Sequence, residues 1–369
     1  MNHLEFLNNL ICPKSKEKLT LKILESYSDS FDRTIIKTGV LFSSQGIIYP
    51  IINQIPRVFD GSWDFYKNKF KTFEKELKEI NINPIINQPS YEFKKNILPT
   101  LVRFQKEWEK HSTSNKTWGL NQDERTLKYR EYMQLFEKSY EEKLFLDLGA
   151  GTGQLTSTLA KELKGTFIGV DLAPGIEKAI GFIKDQKYNC YFIQADLMKL
   201  PFKNDFFDYI HASGVLHHTP NTKKAFSKTS EFVKKNGKLG VWLYRLGSED
   251  ISLPLLPFIN HKKFIIKGSK IRKYTTTLNP SFLYAIIFSY SLFFHIFYKI
   301  NSVVRHVKHT QTIKERATSI FDALAPPYAH KQSIEEVESW FKEQKFTDLV
   351  LTDIDNLSGF NLVGTKITT

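Results

Sequence analysis

The sequence predicts an α/β protein whose centre is a seven-stranded, mainly parallel sheet closed by an antiparallel C-terminal edge strand. Three observations carry that expectation. Apolar runs with strand character alternate with amphipathic stretches over about a hundred residues, which is the pattern of a parallel sheet covered by helices. A turn with three glycines follows the first of these runs. The chain then finishes with one helix and two further strands, which can add an antiparallel pair to a parallel sheet.

The strands expected are "LFLDL" (144–148), "TFIGVD" (166–171), "CYFIQA" (190–195), "FFDYIHAS" (206–213) and "KLGVWLY" (238–244). Between them, "QLTSTLAKELK", "PGIEKAIGFIKDQ" and "TKKAFSKTSEFVKK" carry apolar residues three and four apart, as helices lying on a sheet do. "SIEEVESWFKEQ" is the terminal helix, and "TDLVLTDI" and "FNLVGTKI" are the terminal strands. In such a sheet the ligand lies beyond the carboxyl ends of the strands, near the point where strand order reverses.

"FLDLGAGTGQL" (145–155) occupies that point. Gly149 and Gly151 allow a tight turn and close backbone approach, and Gly153 lets the next helix pack on the strand. Asp147 precedes the turn. Asp171 ends the second strand, 22 residues after Gly149, where a carboxylate can accept both hydroxyls of a ribose, and Asp196 ends the third. A nicotinamide dinucleotide is the competing ligand, because its fingerprint also has glycines and an acid about 20 residues on. The spacing here is Gly-x-Gly-x-Gly, with Gln154 in the place of that fingerprint's third glycine, and Asp147 would repel a pyrophosphate while welcoming an amino group.

Together, "LDLGAGTGQLT", "GVDLAPG", "ADLMKLPFKNDFFDYIHASGVLHHTPN" and "FVKKNGKLGVWLY" resemble the successive motifs of class I S-adenosylmethionine-dependent methyltransferases of the small-molecule or sugar-pathway type. The resemblance implies a Rossmann-like fold over residues 141–369 and S-adenosyl-L-methionine as cofactor. It implies that Asp147, Gly149, Gly151 and Gly153 hold the methionine part, Asp171 and the adjoining Leu172 the ribose, and Asp196 with Leu197 the adenine. The stretch from Ser213 to Leu216 would line the wall near the sulfonium.

Residues 1–60 resemble a degenerate zinc-ribbon-like module. Paired cysteines are missing from it: Cys12 stands alone, with Ser15, Phe42 and Gln45 where partners belong, so no metal is expected. Residues 61–140 are charged, aromatic and helical in pattern, and "KTWGLNQDE" (116–124) precedes a helix leading into the first strand. In the resembling enzymes that segment folds over the cofactor; an ordinary surface linker is the equal alternative.

A sulfonium methyl is already activated, so a base is needed only where the acceptor must lose a proton. His217 and His218, in "GVLHHTP", follow the fourth strand and are the candidate catalytic residues, with His218 ahead; packing against the acceptor is the plainer reading. Metal assistance of the kind found in related quinone O-methyltransferases is disfavoured, because Gly214 and His217 occupy the acidic places. "APPY" (325–328) lacks the acid or amide of the amino-methylating nucleic-acid enzymes and lies after the insertion, so Tyr328 and His330 reach the acceptor only if the Pro-Pro is more than a turn.

No Asp or Glu occurs from Ile251 to Lys314, and ten Lys and Arg residues do, against a formal net charge of +13 for the whole chain. This is the expected helical lid insertion, 247–318. Its charge-free stretch from Pro280 to Tyr298 has the length of a membrane span. Spanning would separate the last helix and strands from their sheet, so no transmembrane helix is expected; a lid over the acceptor, or a peripheral membrane contact through 251–314, is. Two unpaired cysteines and no visible secretory signal point to the cytoplasm, with the inner membrane surface as the alternative. The acceptor expected is a small-molecule or carrier-linked metabolite, a sugar, quinone-like or lipid-linked compound, with an anionic one among the options. An RNA methyltransferase using the basic insertion and a cofactor-binding pseudoenzyme are the competing functions; nucleic acid is disfavoured because the cations flank an apolar helix instead of forming a stripe.

Overall fold

The computed structural model describes residues 1–79, 88–110, 116–117, 120–184, 186–247, 268–305, 312–352 and 358–367. The seven expected strands form: β7 (Leu144–Leu148), β8 (Thr166–Asp171), β9 (Cys190–Ala195), β10 (Phe207–Ser213), β11 (Val233–Tyr244), β12 (Phe346–Thr352) and β13 (Gly359–Lys366). β9, β8, β7, β10 and β11 lie parallel in that order. The reversal falls between β7 and β10, directly after the glycine turn. β13 enters antiparallel between β11 and β12, so the antiparallel strand is one in from the edge and β12 is the edge itself.

The sheet has eleven strands, not seven. β1 (Thr20–Ser28), β2 (Thr34–Phe42), β3 (Ile48–Ile52) and β4 (Ile55–Val58) form an antiparallel meander, and β4 pairs parallel with β9. The N-terminal residues therefore extend the central sheet. The reason is an edge: without β4, the wholly buried strand β9 would present unpaired backbone groups. A separate two-stranded ribbon, β5 (Lys116–Thr117) and β6 (Leu120–Asn121), precedes the Gln122–Tyr132 helix, which opens on a capping box between Asn121 and Glu124.

Alternation along the strands divides the core. Leu146, Leu148, Ile168, Val170 and Ile193 face one side. Phe145 and Phe167 face the other, stacked at 4.3 Å, with Tyr209 4.6 Å from Phe145. At the N-terminal seam Phe6 stacks on Tyr191 at 4.7 Å, and the Tyr191 hydroxyl donates to the Met1 carbonyl. Arg57 is fully buried there and donates to Gln194 Oε1 and Glu177 Oε1, each at 3.0 Å.

Cys12 is a buried free thiol whose Sγ lies 3.6 Å from the Tyr49 hydroxyl and accepts from the Ser15 amide. Among the described residues no group of three or more His, Cys, Asp or Glu is placed to hold a metal ion.

Arg57→Ala is expected to destabilise the protein by roughly 2–4 kcal/mol, since it opens a cavity and leaves Gln194 Oε1 with only the Tyr66 hydroxyl as donor. The check is the urea midpoint, which should fall with the slope unchanged.

Candidate active site

The carboxyl ends of β7, β8, β9 and β10 and the turns that follow them line one cavity of about 680 Å³. The turn after β7 puts Gly149, Gly151 and Gly153 at φ +79°, +58° and +75°, a region side chains rarely adopt. At Gly149 a Cβ would sit 2.9 Å from Val215, and at Gly151 2.6 Å from the Trp108 ring, so these glycines also let the cavity walls close on the turn. Gly153 heads the Gln154–Leu163 helix.

Each strand-end acid has a defined task in the backbone. Asp147 is buried and accepts from the Thr156 hydroxyl through Oδ2. Asp171 accepts from the Gly151 amide at 2.8 Å and the Ala173 amide at 2.7 Å. Asp196 caps its own turn by accepting from the Met198 amide at 2.9 Å. Burial raises the pKa of all three, that of Asp171 to about 6.

Two helices that lie between β4 and β7 in the chain roof the cavity. Leu98–Lys110 contributes Thr100, Leu101, Phe104, Glu107 and Trp108; Gln122–Tyr132 contributes Arg125, Lys128, Tyr129 and Tyr132. The Arg125 guanidinium, lowered by burial, gains from the charge of Asp147. The cavity's far end is formed by Tyr244 at the end of β11, Ser319 and Asp322 of the Ile313–Leu324 helix, and His218.

The two histidines form a closed pair. His218 Nδ1 lies 2.7 Å from the Tyr328 carbonyl oxygen, which can only accept, so Nδ1 carries the proton. His218 Nε2 is then an acceptor, and His217 Nε2, at 3.1 Å, must donate to it. His217 Nδ1 is left buried without a partner. Burial holds His217 well below its ordinary pKa and lowers His218 to about 4, so both rings are neutral at pH 7. His217 stacks on Tyr244 at 3.9 Å, and its carbonyl accepts from the His330 amide. The segment after the Pro-Pro thus reaches the histidines through its backbone.

Of the residues singled out in the sequence, Asp147, Gly149, Asp171, Leu172, Asp196, Leu197, Ser213 and His218 line the cavity; Gly151, Gly153 and His217 stand behind it. The residues overlooked are those from the roof and the far end: Phe104, Glu107, Trp108, Arg125, Tyr244 and Asp322. The capping box of the Gln122–Tyr132 helix was the one local pointer to any of them. The insertion also differs from expectation. Among the described residues its long apolar helix, Pro280–Arg305, contributes nothing to the cavity lining. Leu283, Tyr284 and Ile287 pack instead on Ala317, Ile320 and Phe321 of the helix that bears Asp322. Lys262, Lys263 and Lys267 lie outside the described residues.

Residues 145–237 match the family described as methyltransferase domain. Phosphoethanolamine N-methyltransferase 2 of Caenorhabditis elegans is 24% identical over 127 residues, 34% of this chain and 29% of that protein, so the match spans less than a third of the relative's length. Among solved structures, a possible exported protein of Bordetella parapertussis overlaps 66% of this chain and 68% of its own, at 13% identity and a TM-score of 0.41. Phosphoethanolamine N-methyltransferase 2 of Haemonchus contortus, in complex with phosphomonomethylethanolamine and S-adenosylhomocysteine, overlaps 72% and 57% at 17% identity and a TM-score of 0.37. The matched residues run from β7 into β11 and contain the glycine turn and all three strand-end acids.

Glu107, Asp171 and Asp322 all have raised pKa values through burial, Asp322 to about 7. A carboxyl whose pKa is higher folded than unfolded stabilises fully below the unfolded value and loses that contribution as pH rises through the folded value. The melting temperature of the ligand-free protein is therefore expected to fall between pH 5 and pH 8, and to fall less in Asp322→Asn, as followed by scanning fluorimetry.

Proposed function

We propose that the protein is an S-adenosylmethionine-dependent methyltransferase acting on a small or carrier-linked acceptor. The observation that carries this is the cavity at the strand ends, into which the first three parallel strands each deliver one acid beside a glycine turn no side chain could occupy. The residues fit the cofactor. About 680 Å³ is within the range of small-molecule sites. Asp147 keeps Oδ1 free for an ammonium, and Arg125 stands near it for a carboxylate, which together suit the amino-acid end. Both oxygens of Asp171 retain a lone pair for ribose hydroxyls after binding the two amides. Asp196 and Leu197 take the adenine edge, and Ser213 the wall nearest the reacting centre.

Bound there, the cofactor supplies a methyl group already activated on sulfur. The protein's own task is alignment and exclusion of water. Trp108 closes over the turn, Phe104 packs against His218 at 5.2 Å, and the neutral His217–His218 pair gives the far end a fixed wall. The relative in C. elegans favours a small acceptor over RNA in this reading.

Asp171→Ala should weaken S-adenosylhomocysteine binding about ten- to a hundredfold by calorimetry, the loss of a charge-assisted contact worth about 1.5–3 kcal/mol. Absence of binding by the unaltered protein would overturn the reading. Labelled S-adenosylmethionine incubated with cell extract, then separated into small-molecule, lipid and RNA fractions, distinguishes the acceptors; label in RNA alone would favour the competing nucleic-acid function, and binding without label in any fraction the pseudoenzyme.

For the insertion we infer a peripheral contact with an anionic bilayer. Phe282, Ile286, Phe293 and Ile296 are 47–59% exposed along one side of the Pro280–Arg305 helix, in a segment without acids. Among the described residues no helix is long and apolar enough to cross a membrane. Phe293→Asp/Ile296→Asp is expected to cut co-sedimentation with anionic vesicles at least tenfold; equal sedimentation with neutral and anionic vesicles, or none at low salt, would remove the idea.

A further inference from the structure

Glu107 and Asp322 take part in none of the contacts that a cofactor needs, yet both line the cavity. Glu107 is only 2% exposed. Among the described residues its carboxyl has no hydrogen-bond donor and no cation beside it, only two further acids, Asp322 and Asp171. Asp322, partly open to the cavity, accepts from the Tyr244 hydroxyl. A carboxyl buried in this way is costly unless something positive joins it.

We propose that Glu107 and Asp322, with Tyr244, form an acceptor subsite for a basic amine, and that one of the two carboxylates takes the ammonium proton before methyl transfer. The proposal rests on the methyltransferase reading above and names its acceptor class. A hydroxyl acceptor would offer one donor to two acids and leave their repulsion in place. A phosphate or carboxylate at that point would be repelled by both. An ammonium offers up to three donors and one positive charge, and Phe104, Trp242 and Tyr244, which line the same cavity, are aromatic neighbours that suit an alkylammonium. The cavity's own cations, Arg125 and Lys128, come from the Gln122–Tyr132 helix, and Arg125 serves Asp147 at the amino-acid end.

The proton step balances within the site. The ammonium N–H bond breaks and a carboxylate O–H bond forms, so the nitrogen keeps the electron pair that the methyl group must accept. Burial raises the pKa of both acids, and the charges of Asp322 and Asp171 raise that of Glu107 further, which makes the carboxylate a usable base near neutral pH. His218 cannot take this role in the arrangement described, since its Nε2 lone pair is already occupied by His217.

Other groups face the pair and bear on its pH response. Asp171 adds repulsion to Glu107, and Arg272, whose guanidinium donates to the Ala323 carbonyl, acts on Tyr244, His217 and His218. His217, His218 and His330 complete the surround. With both acids protonated the subsite has no charge to offer, so amine affinity should be lost as pH falls from 8 to 5.

The test uses the full chain loaded with S-adenosylhomocysteine and titrated at pH 8 with ethanolamine and with ethylene glycol, its uncharged match, in the unaltered protein and in Glu107→Gln/Asp322→Asn. Ethanolamine is expected to bind the unaltered protein at least tenfold more tightly than ethylene glycol, and the double variant at least tenfold more weakly, with S-adenosylhomocysteine affinity kept within threefold. In parallel, extract whose amines have been capped by an N-hydroxysuccinimide acetate is expected to lose at least nine-tenths of the label it takes from S-adenosylmethionine. Equal binding of the two small probes, ethanolamine binding unchanged in the double variant, or undiminished labelling of capped extract would overturn the proposal. Failure of the unaltered protein to bind S-adenosylhomocysteine would instead strike the methyltransferase reading. Single Glu107→Gln and Asp322→Asn variants, each checked for a cooperative melt, keep the test open should the double variant not fold.

Discussion

One carboxylate holds the site together. Asp171 binds the amide of Gly151 from the turn after β7 and the amide of Ala173 from the turn after β8, so two loops on adjacent strands share an anchor. The glycine turn is also tied to β8 through the Gly149 amide, which donates to the Val170 carbonyl at 2.8 Å. Left-handed residues are tolerated there because these bonds repay the backbone's conformational cost. Once the turn is set, Trp108 and Val215 can approach it, and the walls of the cavity follow.

Charge is distributed unevenly along that cavity. Acid and base meet at the Asp147–Arg125 end, whereas burial raises Glu107, Asp171 and Asp322, with like charge adding to it at Glu107 and Asp171. Raised pKa values of this kind favour the protonated form of the acids in the row near neutral pH.

The parts of the structure that could be read from sequence are those in which one strand and its following turn carry the whole pattern. β7 with its glycines, Asp171 and Asp196 at the next two strand ends, and the alternation that builds the sheet are all local features. The cavity's roof was anticipated only as a segment, residues 61–140, with a surface linker as the equal alternative, and its individual residues were not legible. Glu107 and Trp108 lie on a helix some forty residues before β7, and Asp322 on one nearly eighty residues after β11, and each is an ordinary helical residue until the fold brings them together. The N-terminal strands were similarly hidden: "IPRV" is a short run whose pairing with β9 depends on an edge that no local pattern records. His217 and His218 were found by position, but their tautomers depend on a carbonyl 110 residues away.

Because β4 completes an edge formed by β9, a part of the chain made earlier must wait for a later one. Arg57 and Gln194 are 137 residues apart. At about 5–20 residues per second of synthesis, the meander stands with an open strand and an uncovered apolar face for roughly 7–27 s before its partner emerges. Val40, Ile51 and Val58, all fully buried in the finished sheet, are exposed to neighbours during that interval. The arrangement that closes one side of the folded sheet thus sets a time window on the ribosome, and slow translation of residues 60–190 would lengthen it.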